Sequence, residues 1–537
     1  MERLWWLRLW GAFLIAVVGF QWPLQAQDLM AAHVGSTTSH DKLPALDGPF
    51  DSGREVTRAC LGCHTEAASA IRGTVHWTWE YSHATLGKTF GKKNVFNTFC
   101  GSVVSNMREC TSCHIGYGWQ DPGVTEVSDD QVDCLVCHEK TGKYKKYNYG
   151  SAVLKFRDKV LNKPDFVAMA RSVGRPGRAN CGFCHFHGGS GDGAKHGDLD
   201  SSLIRPDRFL DVHMQEDGLN FTCVTCHNAP NHQITGSRYT MKAQDPLGID
   251  RPGRTDGSRS SCASCHGNAP HRFRSKLNDH VDRVACQTCH IPAMARGGVA
   301  TMVHWDWRWA GQNKGNTDIP EVLRTAGHLP EKISIRHSRT HGTSLWGENL
   351  TPRYAWFNGR VDYLLRNEPL DPEGPIQVNR IFGSAADSSS RIWPFKNMWA
   401  MLPVDSTHQT LAVNHTVKSD ADDKEAFEHS ADWQRSVAAG MAAAGLPFSG
   451  AVGFRPGVMY FPLTHMIAPR EQSLKCRECH MDGGRMDGVE GIYMPGRNNN
   501  PLLQQFGRGC VLLTLIGMTI HASLRIVMRP KRRLRTS

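Results

Sequence analysis

Two cysteines three positions apart, with a histidine directly after the second, can add their thiols to the two vinyl groups of one porphyrin while the imidazole reaches its iron. The chain repeats this unit eight times: Cys60-Leu-Gly-Cys63-His64, Cys110-Thr-Ser-Cys113-His114, Cys134-Leu-Val-Cys137-His138, Cys181-Gly-Phe-Cys184-His185, Cys223-Val-Thr-Cys226-His227, Cys262-Ala-Ser-Cys265-His266, Cys286-Gln-Thr-Cys289-His290 and Cys476-Arg-Glu-Cys479-His480. The repeats take all but two of the 18 cysteines. Disulfide scaffolds do not tie each cysteine pair to a histidine, and zinc sites combine Cys-x-x-Cys with a distant second pair or histidines. The expected chemistry is eight covalently attached haem c groups, each with its motif histidine as proximal ligand.

An iron held by two imidazoles needs a second histidine, and outside the motifs the chain has many more than eight. His76 and His83 sit among aromatics after the first motif, in Val75-His-Trp-Thr-Trp79-Glu-Tyr81-Ser-His83. His213, His232, His271 and His280 lie near motifs five to seven, whose short spacing forces neighbouring porphyrins close together. Residues 291–475 carry no attachment site but supply His415 and His465 as further distal candidates. Cys100 has no motif partner, so it is free, paired with Cys510 or close to a haem. Asn97 precedes it by one helical turn. The glycine-rich run after His185 delivers Asp192 and Lys195 three positions apart and lacks the Lys-Ser or Lys-Thr of a phosphate loop. The lysines in Lys140-Thr-Gly-Lys143-Tyr144-Lys145-Lys146 are expected on solvated surface.

The elements that position these groups are expected to be few and short. With 52 glycines and 27 prolines in 537 residues, the chain reads as mainly α with much irregular structure, in which porphyrins supply much of the apolar interior. One continuous body over 27–505 is expected, with seven motifs in 60–290, a largely helical, haem-free, ligand-donating region in 291–475, and the eighth motif at 476–480.

The two ends differ from this body. Residues 1–26 run from charged to apolar to small, the order of a secretory signal, with an uncleaved anchor as the alternative. Cys510–Met528 is an apolar stretch long enough to cross a bilayer core of about 30 Å. The basic tail 529–537 after it places that end in the cytoplasm and the body on the periplasmic side. His521 and Arg525 suit an interfacial helix instead. Without the leader and the C-terminal cluster the formal charge of +11 falls to about +4, and ionised propionates of eight haems add about −16 when ferrous or about −8 when ferric. Nucleic acid is therefore excluded as a partner.

The sequence resembles the octahaem tetrathionate reductase family of c-type cytochromes. The likeness runs over about 55–500 and is carried by His76-Trp-Thr-Trp79, Gly91-Lys-Lys-Asn94 with Asn97-Thr-Phe-Cys100, Cys110-Thr-Ser-Cys-His-Ile-Gly-Tyr-Gly-Trp119, Cys134-Leu-Val-Cys-His138, Cys181-Gly-Phe-Cys-His-Phe-His-Gly-Gly189 with Asp192 and Lys195-His-Gly-Asp-Leu-Asp200, and Cys286-Gln-Thr-Cys-His-Ile-Pro292. The resemblance implies seven bis-histidine haems and one, the second, with His114 opposite Lys195. It also implies a pocket of Asn97, Cys100 and Asp192. Members reduce tetrathionate, nitrite and hydroxylamine, and the basic C-terminal anchor departs from the soluble members.

Two functions follow. A terminal reductase of small sulfur or nitrogen oxyanions needs one iron able to release its sixth ligand and a proton source, whereas a periplasmic conduit needs every iron saturated. A neutral lysine amine can leave on protonation, which favours the reductase, with Lys195, Asp192, Cys100 and Asn97 as its catalytic residues. The expected electron donor is a membrane quinol-oxidising or cytochrome b-type partner.

Overall fold

The structure, a computed structural model, describes residues 38–96, 98–119, 128–156, 159–189, 191–251, 259–325, 333–494 and 500–528. The leader 1–26, Asn97 and the tail 529–537 lie outside the described residues.

The motifs sit on short helices. Gly53–Leu61 carries the first thiol of the first motif, and its start is capped by Ser52, whose side chain accepts from the Glu55 amide. Met107–Cys110, Leu135–His138, Arg178–His185, Cys223–Cys226, Ala263–His266, Cys286–His290 and Cys476–Cys479 serve the others. A single helical turn is all the chemistry requires, since residues three apart share a face and both thiols then point to one porphyrin edge.

The span 291–475 corrects the expectation of a largely helical region, and with it that of a mainly α chain. It is built on an eight-stranded sheet: β1 (Thr301–Asp306), β2 (Ile333–Ser338), β3 (Gly342–Gly347), β4 (Arg353–Phe357), β5 (Ile376–Gln377), β6 (Arg391–Asp405), β7 (Thr410–Leu411) and β8 (Val452–Pro462), in the order β5-β8-β6-β1-β3-β2 with β4 and β7 paired to β6. β6 is the spine. It runs antiparallel to β8 from Phe395↔Pro462 to Asp405↔Val452 and parallel to β1 at Trp399↔His304. The physical reason lies in the residues: β1 and β6 are rich in aromatic and β-branched side chains buried on both faces, and Pro394 and Pro403 exclude a helix through β6. Helix remains at Trp433–Ala443, capped by Asp432, where Gly440 lets the Val413 carbonyl approach so closely that a Cβ would clash.

The C-terminal helix Pro501–Val527 starts at an Asn500 cap and leaves all its side chains unburied. It is long and apolar enough to cross a membrane. The expected segment 510–528 falls within it apart from Met528, which caps its end.

Candidate functional site

Seven of the eight motif imidazoles face a second imidazole. Ring centres lie 6.2 Å apart for His64 and His40, 6.4 Å for His138 and His232, and 6.1 Å for His185 and His76. They lie 6.2 Å apart for His227 and His465, 6.0 Å for His266 and His213, 6.5 Å for His290 and His271, and 6.1 Å for His480 and His280. Two imidazoles binding one iron at about 2.0 Å, with about 1.1 Å from nitrogen to ring centre on each side, would sit about 6.2 Å apart. The residues present therefore fit haem iron at seven places.

Several of these rings are oriented by their other nitrogen. Nδ1 donates to the Gly174 carbonyl from His138 (2.9 Å), to the Thr235 carbonyl from His227 (2.9 Å) and to Asn278 Oδ1 from His271 (3.1 Å), leaving Nε2 for the opposite ring. Burial lowers the pKa of His138, His227, His266 and His290, and takes His185 to about 3, so these rings are neutral as ligation requires. His465 differs. Burial lowers its pKa, but the hydrogen bond and charge of Asp198 outweigh that and raise it.

Of the distal candidates, His76, His213, His232, His271, His280 and His465 stand opposite motif rings. His83 packs edge-on against Phe90, and His415 joins Asp423 (2.6 Å) and the Ser105 carbonyl. His40, which the sequence reasoning passed over, takes the place opposite His64 from a three-residue helical turn before the first motif. Nothing local marks it, because its polar surroundings read as an entry segment.

Thiols of different motifs touch. Cys60 meets Cys134, Cys113 meets Cys184, Cys181 meets Cys223 and Cys262 meets Cys286. Cys265 lies near Cys226, and Cys479 near Cys289. Asn180 donates to the Glu139 carbonyl at 3.0 Å, joining the third and fourth motifs. The motifs thus follow one another in space as one, three, four, five, six, seven, eight, with the second attached to the fourth.

The second motif is built differently. His114 is fully buried, stacked on Trp119 at 3.6 Å and flanked by Trp77 and Trp79. Its Nε2 meets the Trp77 carbonyl at 2.8 Å and its Nδ1 is without a partner, so binding iron requires the first of these bonds to open. Burial takes its pKa to about 3. Lys146 holds its backbone, bonding to the His114 and Gly116 carbonyls and pairing with Asp133 at 3.0 Å. Lys146 is thus a buried ion-pair partner, which corrects its assignment to solvated surface: its acceptors come from segments far away in sequence.

Lys195 is buried, and burial drives its pKa well down, with Arg238 and then Lys92 adding to the effect and Cys113 opposing it. The lysine therefore lies near the second motif's Cys113. Cys100 is half-buried, and its charge acts on Cys110, the same motif's other thiol. No disulfide joins Cys100 to Cys510, which removes their pairing as an alternative. Both carboxylate oxygens of Asp192 accept from Ser201, one from its amide at 2.9 Å and one from its hydroxyl, so Asp192 braces the loop that carries Lys195. The sheet braces the same loop. Lys396 of β6, fully buried, donates to the carbonyls of Ala194 (2.8 Å) and Lys195 (3.1 Å) and to Thr301 Oγ1 of β1 (2.6 Å).

Comparison with known proteins agrees with this architecture. The family model for bacterial cytochrome c matches residues 302–483, and that for cytochrome c7 and related cytochromes c matches 209–291. No curated protein matches the chain. Among solved structures it is similar to an octahaem cytochrome c from Shewanella oneidensis, at 33% identity and a TM-score of 0.69, over 86% of this chain and 98% of that one. With motifs, paired imidazoles and this relative in agreement, the chain belongs to the multihaem cytochromes c and carries covalently bound haem c.

Proposed function

We propose that the protein binds eight haems and is a terminal reductase of small sulfur or nitrogen compounds such as tetrathionate, nitrite or hydroxylamine, acting at the second motif with Lys195 as the removable ligand. One observation carries this reading: His114 alone among the motif histidines faces tryptophans and no second imidazole, while a buried lysine lies near the same motif. A conduit has no use for such an exception.

Haem c supplies one-electron redox chemistry and, where a sixth ligand can leave, a coordination site for substrate. The chain's residues do the rest. Trp77, Trp79 and Trp119 exclude water around His114, and Lys396 with Asp192 fixes the loop from which Lys195 reaches in. Protonation of the Lys195 amine releases it, and Cys100 stands beside Cys110 to meet a sulfur or nitrogen oxyanion. With haem held at each motif, electrons would enter at the eighth motif, which precedes the C-terminal helix, and the order of motifs seven to four would lead them to the second. In this proposal the helix anchors an exported, periplasmic body, and the donor is a membrane quinol-oxidising or cytochrome b-type protein.

Lys195→His and Lys195→Ala test the assignment. With histidine, reduction of all three acceptors should fall by about 100-fold or more while the other seven haem spectra stay unchanged, because imidazole does not leave on protonation in the way an amine does. With alanine, one low-spin haem signal should vanish. Unchanged spectra and rates in Lys195→Ala would return the protein to the conduit function.

A further inference from the structure

Between the second and third motifs lies a buried charge pair that the proposed chemistry leaves without a role. Lys146 and Asp133 meet at 3.0 Å with both side chains fully shielded from solvent. Lys146 Nζ also donates to the carbonyl of His114 and, at 3.0 Å, to that of Gly116. Three acceptors take three N–H groups, so the side chain is an ammonium with every hydrogen placed. Asp133 is as fully used. Its Oδ1 accepts from the Tyr117 hydroxyl at 2.8 Å and the Val136 amide at 3.1 Å, and its Oδ2 from the Tyr144 hydroxyl at 2.8 Å as well as from Lys146. Burial, and then the charge of Asp133, push the pKa of both tyrosines up, which keeps them as donors. The cluster closes on itself and needs no haem propionate or outside ion to complete it.

The two ends of the pair belong to different centres. Lys146 grips the carbonyl of the second motif's histidine, whereas Asp133 directly precedes Cys134 and accepts from an amide of Leu135–His138, the helix of the third motif. The backbones are joined as well. The Asp133 amide donates to the Ile115 carbonyl at 2.8 Å and the Tyr117 amide to the Gln131 carbonyl at 2.9 Å. A positive end therefore sits at the second motif and a negative end at the third, where salt screens them little. Stability is a weak reason for such a pair, since apolar residues in its place are often as good. Its direction supplies a better one: a fixed positive charge favours the reduced form of a nearby iron, and a negative charge the oxidised form.

We infer that Lys146 and Asp133 are positioning residues that hold the His114 backbone against the third motif and, by the direction of their charges, raise the reduction potential of the second haem and lower that of the third. This rests on the eighth haem of the proposed function, at the second motif, and on no substrate.

The test is a redox titration of the full-length haem-loaded protein in detergent, followed by electron paramagnetic resonance, with haem quantitation alongside. The second centre is marked as the one without a second imidazole, and the third by its loss in His232→Ala. Lys146→Met should lower the second potential by about 59 mV, a tenfold change in the ratio of reduced to oxidised centre, as removal of a shielded unit charge would. Asp133→Asn should raise the third by about the same amount. If a lone buried charge blocks maturation of either variant, the double variant Lys146→Gln with Asp133→Asn removes both charges and keeps polar partners. It should lower the second and raise the third by about threefold in the same ratio. Opposite signs are the signature, because a pair that only holds the backbone has no reason to move two centres apart in this way. Unchanged potentials with eight haems present would overturn the inference, and shifts of one sign at both centres would overturn it as a general packing defect. Seven haems in the parent protein, with the second motif empty, would instead reject the eighth haem beneath it.

Discussion

Replacing Lys396 with methionine should loosen the loop that carries Lys195 while leaving the sheet in place. Lys396 makes three hydrogen bonds from a fully buried position, to Ala194, Lys195 and Thr301. The Thr301 hydroxyl already donates to the Gly193 carbonyl at 2.7 Å or that of His196 at 3.1 Å, so it can only accept from Lys396. Three acceptors need three N–H groups, the ammonium form. Burial pushes the pKa of that ammonium well down, with Asp198 opposing, and the three aligned acceptors keep its proton in place. Methionine matches the volume and donates nothing. Three buried acceptors left unmet at about 1–3 kcal/mol each, less the desolvation recovered by removing the charge, give a net loss of about 3 kcal/mol. Felt locally, that is about 100-fold in the opening equilibrium of 191–197. Hydrogen exchange followed by mass spectrometry should therefore quicken by about that factor in peptides holding the Gly193 and Ala194 amides, which bond to Phe186 and Gly191, and stay unchanged in β8. Exchange in 191–197 close to that of the parent would refute the idea that this ammonium clamps the loop.

Further tests follow from other residues. His40→Ala should remove one of the seven paired low-spin signals in electron paramagnetic resonance and leave the other six, and a full set of signals would show that His40 is not a ligand. His304, on β1, has a folded pKa of about 4 because burial outweighs the pull of Asp306, against 6.5 for the free side chain. The unfolded chain therefore takes up the extra proton first, so stability is fullest above pH 6.5 and falls by up to about 3 kcal/mol as pH drops toward 4. His304→Leu should flatten the thermal midpoint over that window, and a parallel pH profile would count against the assignment.

The haem chemistry was legible in the sequence because it is local: five consecutive residues on one helical turn hold a porphyrin by themselves. The distal side is not local. His465 meets His227 from beyond the whole sheet, and His480 meets His280 across the same span, so proximity in sequence could suggest them as candidates but not their partners. It misled for His83, which lies beside His76 yet turns to Phe90, and it hid His40 altogether. The sheet escaped for a related reason. β1 and β6 are buried on both faces, so they show no alternation of polar and apolar residues. The prolines at 394 and 403 were the signal against a helix. At the second pocket, Lys195, Asp192 and Cys100 stood out as residue types, whereas Lys396 and Lys146 could not, since what distinguishes them is burial and the partners they meet.

Under the proposed function, the sheet would let one site change ligands inside a body that depends on rigid spacing. Electron transfer along motifs three to eight asks each ring pair to stay put, and their Nδ1 bonds to backbone and carboxylate do that locally. The second motif lies off this line, attached through the contact of Cys113 with Cys184. Movement there need not disturb the path past it. Its proposed sixth ligand comes from a loop clamped by β6 and β1 through Lys396 and Thr301, so the backbone stays fixed while the long lysine side chain alone swings. Under the proposed function, the choice of lysine, the buried clamp beneath it and the position at the end of a branch would all serve one requirement, that the second centre open while the others remain closed.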